Sequence, residues 1–157
     1  SVLFALSKTF NPVYGYKELE AIFGDRRPES AKELEEAVRA VRARKLPDPK
    51  VLPNAGSFFK NPVVTRTKML HLLEETPSLV SYPLGGARAK IAAGWLIEAC
   101  GLKGKRMGQA GVYERQALIL VNYGGATGAE IKALAEEVAR NVKYRFGVEL
   151  EPEPVIL

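Results

Sequence analysis

The stretch NAGSFFKNP, residues 54–62, contains a serine whose neighbours could hold its hydroxyl still. Gly56 lets the backbone turn sharply just before Ser57, and the adjacent aromatics Phe58 and Phe59 can anchor that turn in a core. A fixed hydroxyl of this kind is one that can serve in catalysis. Asn, Gly and Ser are also the commonest turn residues, so an ordinary strand entry is the alternative interpretation.

A second polar side chain lies between two prolines near the end of the chain. In EPEP, Glu153 follows Pro152 and precedes Pro154. The two rings restrict the backbone more than a flexible tail requires. The residue types alone leave both a fixed carboxyl group and a solvated tail open.

The residues needed for two other kinds of catalytic site are missing from the sequence. The chain contains one histidine, His71, and one cysteine, Cys100, so a zinc site and a serine–histidine relay have no obvious ligands or base. Cys100 cannot form an internal disulfide, which favours a reducing compartment. The sequence also shows no apolar stretch of membrane-spanning length and no signal peptide at its start, so we expect a soluble intracellular protein.

Length and charge narrow the class of protein. The 157 residues suit one domain, and the apolar fraction of 46% is enough for a core. A formal net charge of +5 favours an anionic partner: a nucleic acid, an acidic membrane surface or a phosphorylated small molecule. The most basic segment, VRAVRARK at residues 38–45, lacks the interleaved aromatics of a base-stacking surface. No glycine-rich phosphate cradle of the P-loop or dinucleotide-binding kind is evident.

The elements that must position these side chains follow from hydrophobic patterning and from proline. VLFAL, residues 2–6, predicts a buried strand that leads into a loop with two tyrosines. Three prolines in LPDPKVLP, residues 46–53, break regular structure just before the serine. QALILVNY, residues 116–123, and VELEP, residues 148–152, predict two more strands.

Four helices are predicted. Ser30 and Glu33 form a capping box at the start of the first, and TGAE at Thr127 forms another at the start of the last, which ends near Gly147. The two between them cover about residues 65–75 and 90–100. Interleaved helices and strands predict an α+β fold, a single mixed α/β domain packed on a small sheet.

Five segments, in this order, resemble the C-terminal half of the UDP-N-acetylenolpyruvoylglucosamine reductase family: KLPDPK, NAGSFFKNPVV, AAGWLIEACGLKG, QALILVNYGGAT and ELEPE. This family consists of flavoenzymes of peptidoglycan precursor synthesis. The resemblance implies that residues 25–157 form the C-terminal substrate-binding domain. Residues 1–24, a strand and the tyrosine loop, are expected to belong to the end of the flavin-domain region. The family's N-terminal FAD-binding domain has no counterpart in this sequence.

The resemblance also implies a reaction. NADPH reduces the flavin, and hydride then passes to the enolpyruvyl ether of UDP-N-acetylglucosamine enolpyruvate to give UDP-N-acetylmuramate. Ser57 matches the general acid that protonates the enolate-like intermediate. Glu153 matches the catalytic carboxyl group beside the substrate carboxylate. An ionised carboxyl group would repel that carboxylate, so we expect Glu153 to be protonated, or bridged to the carboxylate through a proton, in a buried, anionic environment.

Further residues match substrate-binding positions of the family. Lys45 and Asn61 match residues that hold the UDP diphosphate, the first by charge and the second by directed amide donors. Tyr16 matches a tyrosine that covers the substrate in one branch of the family, with Tyr14 as the alternative register.

Three more matches lie towards the nucleoside. Lys103 and Gln116 match positions near the uridine end, and Tyr82 matches a residue that lines the same cleft. Each of these side chains, taken alone, fits a surface or packing role equally well.

The resemblance implies FAD and NADPH as cofactors of the complete enzyme, with neither expected on this chain alone, which should be inactive without the flavin domain. The implied partners are UDP-N-acetylglucosamine enolpyruvate and that flavin domain, with no nucleic acid and no membrane, in a bacterial cytoplasm. Two other interpretations stay open: a basic nucleic-acid-binding module, from the net charge and the 38–45 segment, and a structural or interaction domain.

Overall fold

The computed structural model describes residues 1–156, which form five helices and seven strands. The helices are α1 (Lys17–Phe23), α2 (Ala31–Lys45), α3 (Arg66–Glu75), α4 (Ala93–Ala99) and α5 (Gly128–Phe146). The strands are β1 (Asn54–Ser57), β2 (Val63–Thr65), β3 (Ser81–Pro83), β4 (Arg88–Ile91), β5 (Arg106–Met107), β6 (Ala110–Val112) and β7 (Ile119–Asn122). The predicted α+β class is confirmed.

The chain divides by its internal contacts into two compact units, Ser1–Leu46 and Pro47–Leu157. The first unit contains α1 and α2, and the second contains α3 to α5 and all seven strands. The boundary predicted after residue 24 is of another kind. It assigns residues 1–24 to the flavin-domain region of the family and residues 25–157 to its C-terminal domain, and it stays a prediction.

The first unit corrects the predicted strand at residues 2–6. That segment is not a strand, and Leu3 is 99% exposed. A strand needs a neighbour for its backbone groups, and no described strand pairs with these residues. The helix α1, in contrast, was not predicted, and it begins directly after Tyr16 in the tyrosine loop.

The start of α2 agrees with the sequence in part. The Ser30 side chain accepts a hydrogen bond from the backbone N–H of Glu33 at 3.1 Å, as an N-cap should. The Glu33 carboxylate instead accepts from the backbone of Glu29 at 2.6 Å and from Arg26 at 2.5 Å. The predicted capping box is therefore present in only one of its two directions.

The second unit contains two antiparallel sheets where the sequence predicted one. The first has the strand order β1-β7-β6-β5, and the second has the order β2-β4-β3. The helix α5 contacts β6, β7 and α4. Its residues Leu134, Val138 and Val142 repeat every four positions and are fully buried, so this stripe forms one wall of the core.

The boundaries of some predicted elements differ from those in the structure. The helices at 65–75 and from Thr127 are confirmed, the latter with a complete capping box. The predicted helix at 90–100 begins only at Ala93, because Arg88–Ile91 pairs as β4. VELEP forms no named strand and contributes a single bridge, Phe59 to Pro152.

Candidate functional site

Ser57 lies at the end of β1, where an extra residue enters the strand. Asn54 pairs with Val121 and Ser57 pairs with Ile119, so three steps on β1 face two steps on β7. Gly56 absorbs this bulge with a φ of +73°, a conformation that L residues with a Cβ rarely adopt. Its N–H donates to the Asn54 side chain at 2.9 Å. The sharp turn predicted before Ser57 is therefore a β-bulge within β1, and Ser57 is the last residue of that strand.

The two aromatics after Ser57 anchor this bulge. Phe58 and Phe59 are buried, and their rings meet edge to face with centroids 5.2 Å apart. The Phe58 N–H donates to the Leu118 carbonyl at 2.7 Å. The Ser57 side chain is exposed and makes no hydrogen bond within residues 1–156, so a fixed backbone presents an unoccupied hydroxyl.

Glu153 is far from Ser57 in sequence, but its backbone lies beside the residues that follow Ser57. Its N–H donates to the Phe58 carbonyl at 2.8 Å, and Lys60 N–H donates to the Glu151 carbonyl at 2.9 Å, on either side of the Phe59–Pro152 bridge. The end of the chain is therefore docked on the residues after Ser57. The Glu153 side chain is exposed, which differs from the buried setting expected from the sequence.

Asn61 is oriented by a helix. Its Oδ1 accepts a hydrogen bond from the N–H of Ala93, the first residue of α4, at 2.9 Å. Only the oxygen of the amide can accept this bond, so the Nδ2 donors are left for another partner. Asn61 is exposed and lines a groove of about 610 Å³ between residues 60–63 and 149–152.

Tyr82 lies in β3 and is 52% exposed. It is paired directly with Lys90 of β4, and Lys90 is paired on its other side with Val63 of β2. Tyr82 thus stands on a three-stranded sheet beside a cation. Lys90 was not among the predicted site residues, because its segment was predicted to be helical and is strand β4.

The two residues predicted near the uridine end already have local partners. Lys103 forms an ion pair with Glu98, the residue before the end of α4. Gln116 Oε1 accepts from the N–H of Leu118 at 3.3 Å and is half-buried. A ligand at Lys103 would have to share or replace Glu98.

In the first unit, Lys45 at the end of α2 forms an ion pair with Glu18 of α1. The hydrogen bond from Lys45 holds the pKa of Glu18 below its ordinary value. Both side chains keep about two-fifths of their surface in solvent, so the pair is accessible to a competing anion. Glu18 was not predicted as this partner, because it lies 27 residues from Lys45 along the chain.

The same unit separates the two tyrosines of the loop. Tyr14 is half-buried and packs edge to face on Phe23, with ring centroids 5.8 Å apart. Tyr16 is 69% exposed, and its carbonyl accepts from the N–H groups of Leu19 and Glu20 at the start of α1. The Tyr14 ring is therefore engaged in packing against Phe23, whereas the Tyr16 ring is in solvent.

The one glycine-rich connection from a strand to a helix in the described chain lies between β7 and α5, and three of its N–H donors have partners within the chain. Asn122 Oδ1 accepts from the N–H groups of Gly124 at 2.9 Å and of Ala126 at 3.0 Å. The Glu130 carboxylate accepts from the N–H of Thr127 at 2.7 Å. These donors are therefore not available to cradle a phosphate.

Residues 1–156 contain neither a membrane-spanning helix nor a cluster of metal ligands. No helix in residues 1–156 combines the length and apolar character needed to cross a membrane. Over the same residues, no group of three or more His, Cys, Asp or Glu side chains converges as a metal site would require.

By its architecture the chain is an α+β protein whose second unit gathers a hydroxyl, a carboxylate and an amide on neighbouring segments. Residues 48–157 match the family model described as UDP-N-acetylenolpyruvoylglucosamine reductase, C-terminal domain. The chain belongs to this family. Its similarity to individual members extends over all 157 residues.

Among curated relatives, UDP-N-acetylenolpyruvoylglucosamine reductase of Paraburkholderia xenovorans is 53% identical over 161 residues, and that of Burkholderia multivorans is 51% identical. In each case the match covers 100% of this chain and 46% of the relative, so the chain spans about half their length. A crystal structure of the Thermus caldophilus enzyme is similar at 29% identity and a TM-score of 0.46, covering 82% of this chain and 36% of that one.

Proposed function

We propose that this chain supplies the substrate-binding part of a flavin-dependent reductase that converts UDP-N-acetylglucosamine enolpyruvate to UDP-N-acetylmuramate. The protein then serves peptidoglycan synthesis, and through it cell shape and division, in a bacterial cytoplasm. The observation that carries the proposal is the hydrogen bond of 2.8 Å between Glu153 N–H and the Phe58 carbonyl. It brings the two residues that match catalytic positions, Ser57 and Glu153, onto adjacent backbone segments.

We expect the flavin cofactor to be bound by residues outside this sequence. FAD, reduced by NADPH, supplies the hydride of this reaction when it is bound. In the loop between β7 and α5, Asn122 and Glu130 already accept from the N–H groups of Gly124, Ala126 and Thr127, so these three donors are not free for its pyrophosphate. We therefore assign no residue of this chain to FAD, and we expect this chain alone to be inactive.

Ser57 acts in the proposal as the proton donor. Its hydroxyl gives a proton to the carbon next to the one that accepts hydride. A serine hydroxyl is a weak acid, so the acceptor must be strongly basic, as an enolate is. The Gly56 bulge and the buried Phe58 and Phe59 hold the donor in place, which reduces the entropy cost of reaching it.

Glu153 acts at the substrate carboxylate. A carboxyl group in its protonated form can donate a hydrogen bond to a carboxylate, whereas the ionised form repels it. Glu153 is exposed in the described chain, so the proposal requires the bound substrate and its surroundings to cover it. Its backbone is fixed by Phe58, and the side chain is the part that adjusts.

The remaining assignments concern binding. Asn61 presents its Nδ2 donors to the diphosphate, because Ala93 holds the other end of the amide. Lys45 contributes charge after exchanging Glu18 for phosphate, and Tyr16 closes over the substrate. Residues proposed to lie towards the uridine are Tyr82, Lys103 and Gln116.

A binding titration of the full-length protein tests the proposal. Calorimetry with UDP-N-acetylglucosamine should show saturable binding, and fluorescence anisotropy with single-stranded RNA should show none at physiological salt. Tight RNA binding with a steep salt dependence, and no sugar-nucleotide binding, would overturn it. The basic helix gives RNA little support, since Arg39 pairs with Glu35 and Lys45 pairs with Glu18.

A further inference from the structure

Glu153 lies between two residues that cannot donate a backbone hydrogen bond. Pro152 and Pro154 have no N–H group, so neither can add to the pairing of this segment. The N–H of Glu153 itself donates to the Phe58 carbonyl at 2.8 Å. The proposed catalytic carboxyl group is therefore carried by a segment with few backbone contacts of its own.

Lys60 and Glu151 join the same two segments a short distance from Glu153. The Phe59–Pro152 bridge sets an antiparallel register in which Lys60 lies opposite Glu151. Lys60 N–H donates to the Glu151 carbonyl at 2.9 Å, and the two side chains form an ion pair. Opposite charges on directly opposed residues stabilise such a contact. Backbone and side chains therefore hold the two segments together at the same point.

The pairing of the two segments ends at Lys60 and Glu151. Within residues 1–156, no backbone hydrogen bond joins the segments beyond this pair. Instead, residues 60–63 and 149–152 line the groove of about 610 Å³. The ion pair thus lies where the segments begin to separate, and a contact at this point limits how far residues 151–153 can move from residues 58–60.

We infer that the Lys60–Glu151 ion pair positions the Glu153 carboxyl group for its role at the substrate carboxylate. This inference rests on the proposed function and adds to it two positioning residues, which act through the segment that carries Glu153. Ser57 is held separately, by β1 and by the buried Phe58. Loss of the ion pair should therefore loosen the carboxyl group and leave the serine in place. The two paired side chains are 50% and 71% exposed, so the effect should be modest.

Lys143 provides a matched control. It forms an ion pair of 2.7 Å with Glu149, two residues before Glu151, and this pair is also exposed. Because Lys143 belongs to α5, its pair ties the segment to a helix and not to the residues after Ser57. Lys60→Met and Lys143→Met each remove one positive charge and one exposed ion pair. Only the first removes the proposed positioning contact.

Amide hydrogen exchange of the full-length protein, followed by NMR, tests the positioning directly. Lys60→Met should speed exchange of the Glu153 N–H about two- to fivefold, the range that an exposed ion pair can supply, and Lys143→Met should not. The Phe58 N–H, which donates to the Leu118 carbonyl at 2.7 Å, should keep its wild-type rate. Equal acceleration at both amides would show general loosening and would overturn the inference.

Stopped-flow absorbance of the flavin in the full-length protein tests the consequence for catalysis, with melting curves as a check of folding. Lys60→Met should slow the oxidation of reduced flavin by the enolpyruvyl substrate about two- to fivefold and leave flavin reduction by NADPH unchanged. Lys143→Met should change neither rate. Exchanging the charges, with Lys60→Glu and Glu151→Lys together, should recover most of the lost rate because it rebuilds the ion pair.

A double variant shows whether the ion pair acts through Glu153. Glu153→Ala has no carboxyl group to position, so adding Lys60→Met should slow flavin oxidation no further. A further loss as large as that in the wild type would show that the ion pair supports the protein as a whole, and it would overturn the positioning role.

The remaining outcomes separate this inference from the proposed function. A wild-type rate in Lys60→Met, equal slowing in Lys143→Met, or a charge exchange that recovers nothing would overturn the inference and keep the proposed function, provided that Glu153→Ala is slow. If Glu153→Ala oxidises its flavin at the wild-type rate, the proposed role of Glu153 fails, and the inference fails with it.

Discussion

Glu153 and Phe58 are joined through their backbones, the N–H of the first donating to the carbonyl of the second at 2.8 Å. Phe58 is buried and follows Ser57 directly, so the position of Glu153 is set by the same core that holds the serine. Packing of Phe58 and Phe59 thereby determines the distance between the two proposed catalytic groups. A change in this core should alter both groups together.

The Asn61 amide allows its structural and binding roles to be separated. Asn61→Asp keeps an oxygen that accepts from Ala93 N–H but replaces the Nδ2 donors with a negative charge. We expect near wild-type stability and at least about tenfold weaker UDP binding, because a phosphate would meet a carboxylate. Asn61→Ala should lose the Ala93 bond as well and cost about 1 kcal/mol of stability. Calorimetry and thermal melts measure the two effects, and unchanged UDP affinity in Asn61→Asp would remove Asn61 from the site.

The Lys45–Glu18 ion pair predicts opposite effects of two substitutions. Lys45→Ala should weaken UDP-N-acetylglucosamine binding by about 1 to 3 kcal/mol if its ammonium contacts phosphate. Glu18→Gln should strengthen binding by about two- to fivefold, since an exposed ion pair competes only modestly with the ligand. Titration of both variants in the full-length protein is the measurement. Weaker binding in Glu18→Gln would show that Glu18 positions Lys45 and does not compete with the ligand.

The capping box of α5 predicts a pH dependence of stability. The backbone N–H and the hydroxyl of Thr127 donate to the Glu130 carboxylate and hold its pKa below the ordinary value of 4.5. A lowered pKa in the folded state gives stability that is present above about pH 4.5 and is lost as the pH falls through the folded pKa. Glu130→Gln should therefore be less stable than wild type at pH 7, with a smaller difference at pH 3.

Two further variants complete that experiment. Thr127→Ala removes the N-cap and should cost about 0.5 to 2 kcal/mol of stability at pH 7. Glu136→Gln lies on the same helix, outside the cap, and controls for the loss of one negative charge. A stability difference between Glu130→Gln and wild type that stays constant from pH 7 to pH 3 would contradict the capping role.

Helices with caps were the part of the fold that the sequence predicted well. Ser30, Thr65 and Thr127 all act as N-caps, and Gly147 ends α5 with a φ of +61°. These signals are local, since each depends on residues within one turn. The apolar run at residues 2–6 carried the pattern of a strand without a neighbouring strand to pair with.

Short strands and side-chain partners could not be predicted from the sequence. In β4 the alternation of RAKI lasts four residues and leads into the helical pattern of AAGWLIEAC, so the helix pattern dominated the prediction. The special backbone conformation of Gly56 was predicted from its residue type, although it forms a bulge in β1 and not a turn. The Asn61–Ala93 and Lys45–Glu18 contacts, in contrast, join residues about thirty positions apart. Such contacts depend on the tertiary fold, and no local pattern encodes them.

The exposed Ser57 hydroxyl gives the sharpest test of the proposed chemistry, in the full-length protein with its flavin. Ser57→Ala should leave the reduction of flavin by NADPH unchanged. It should slow the oxidation of reduced flavin by the enolpyruvyl substrate about a hundredfold to ten-thousandfold, which is the usual contribution of a general acid. Ser57→Cys should recover part of that rate, because a thiol is a stronger acid than a hydroxyl. Stopped-flow absorbance of the flavin reports the two half-reactions separately.

A turn serine without catalytic function predicts a different pattern for the same variants. Since Ser57 makes no side-chain hydrogen bond within residues 1–156, Ser57→Ala should change stability by less than about 0.5 kcal/mol. Gly56→Ala is the structural control: it forces a Cβ into a φ of +73°, should cost about 1 kcal/mol or more, and should displace the hydroxyl without removing it. If Ser57→Ala oxidises its flavin at the wild-type rate while Gly56→Ala is slow, the turn itself is what catalysis requires, and the serine is not the proton donor.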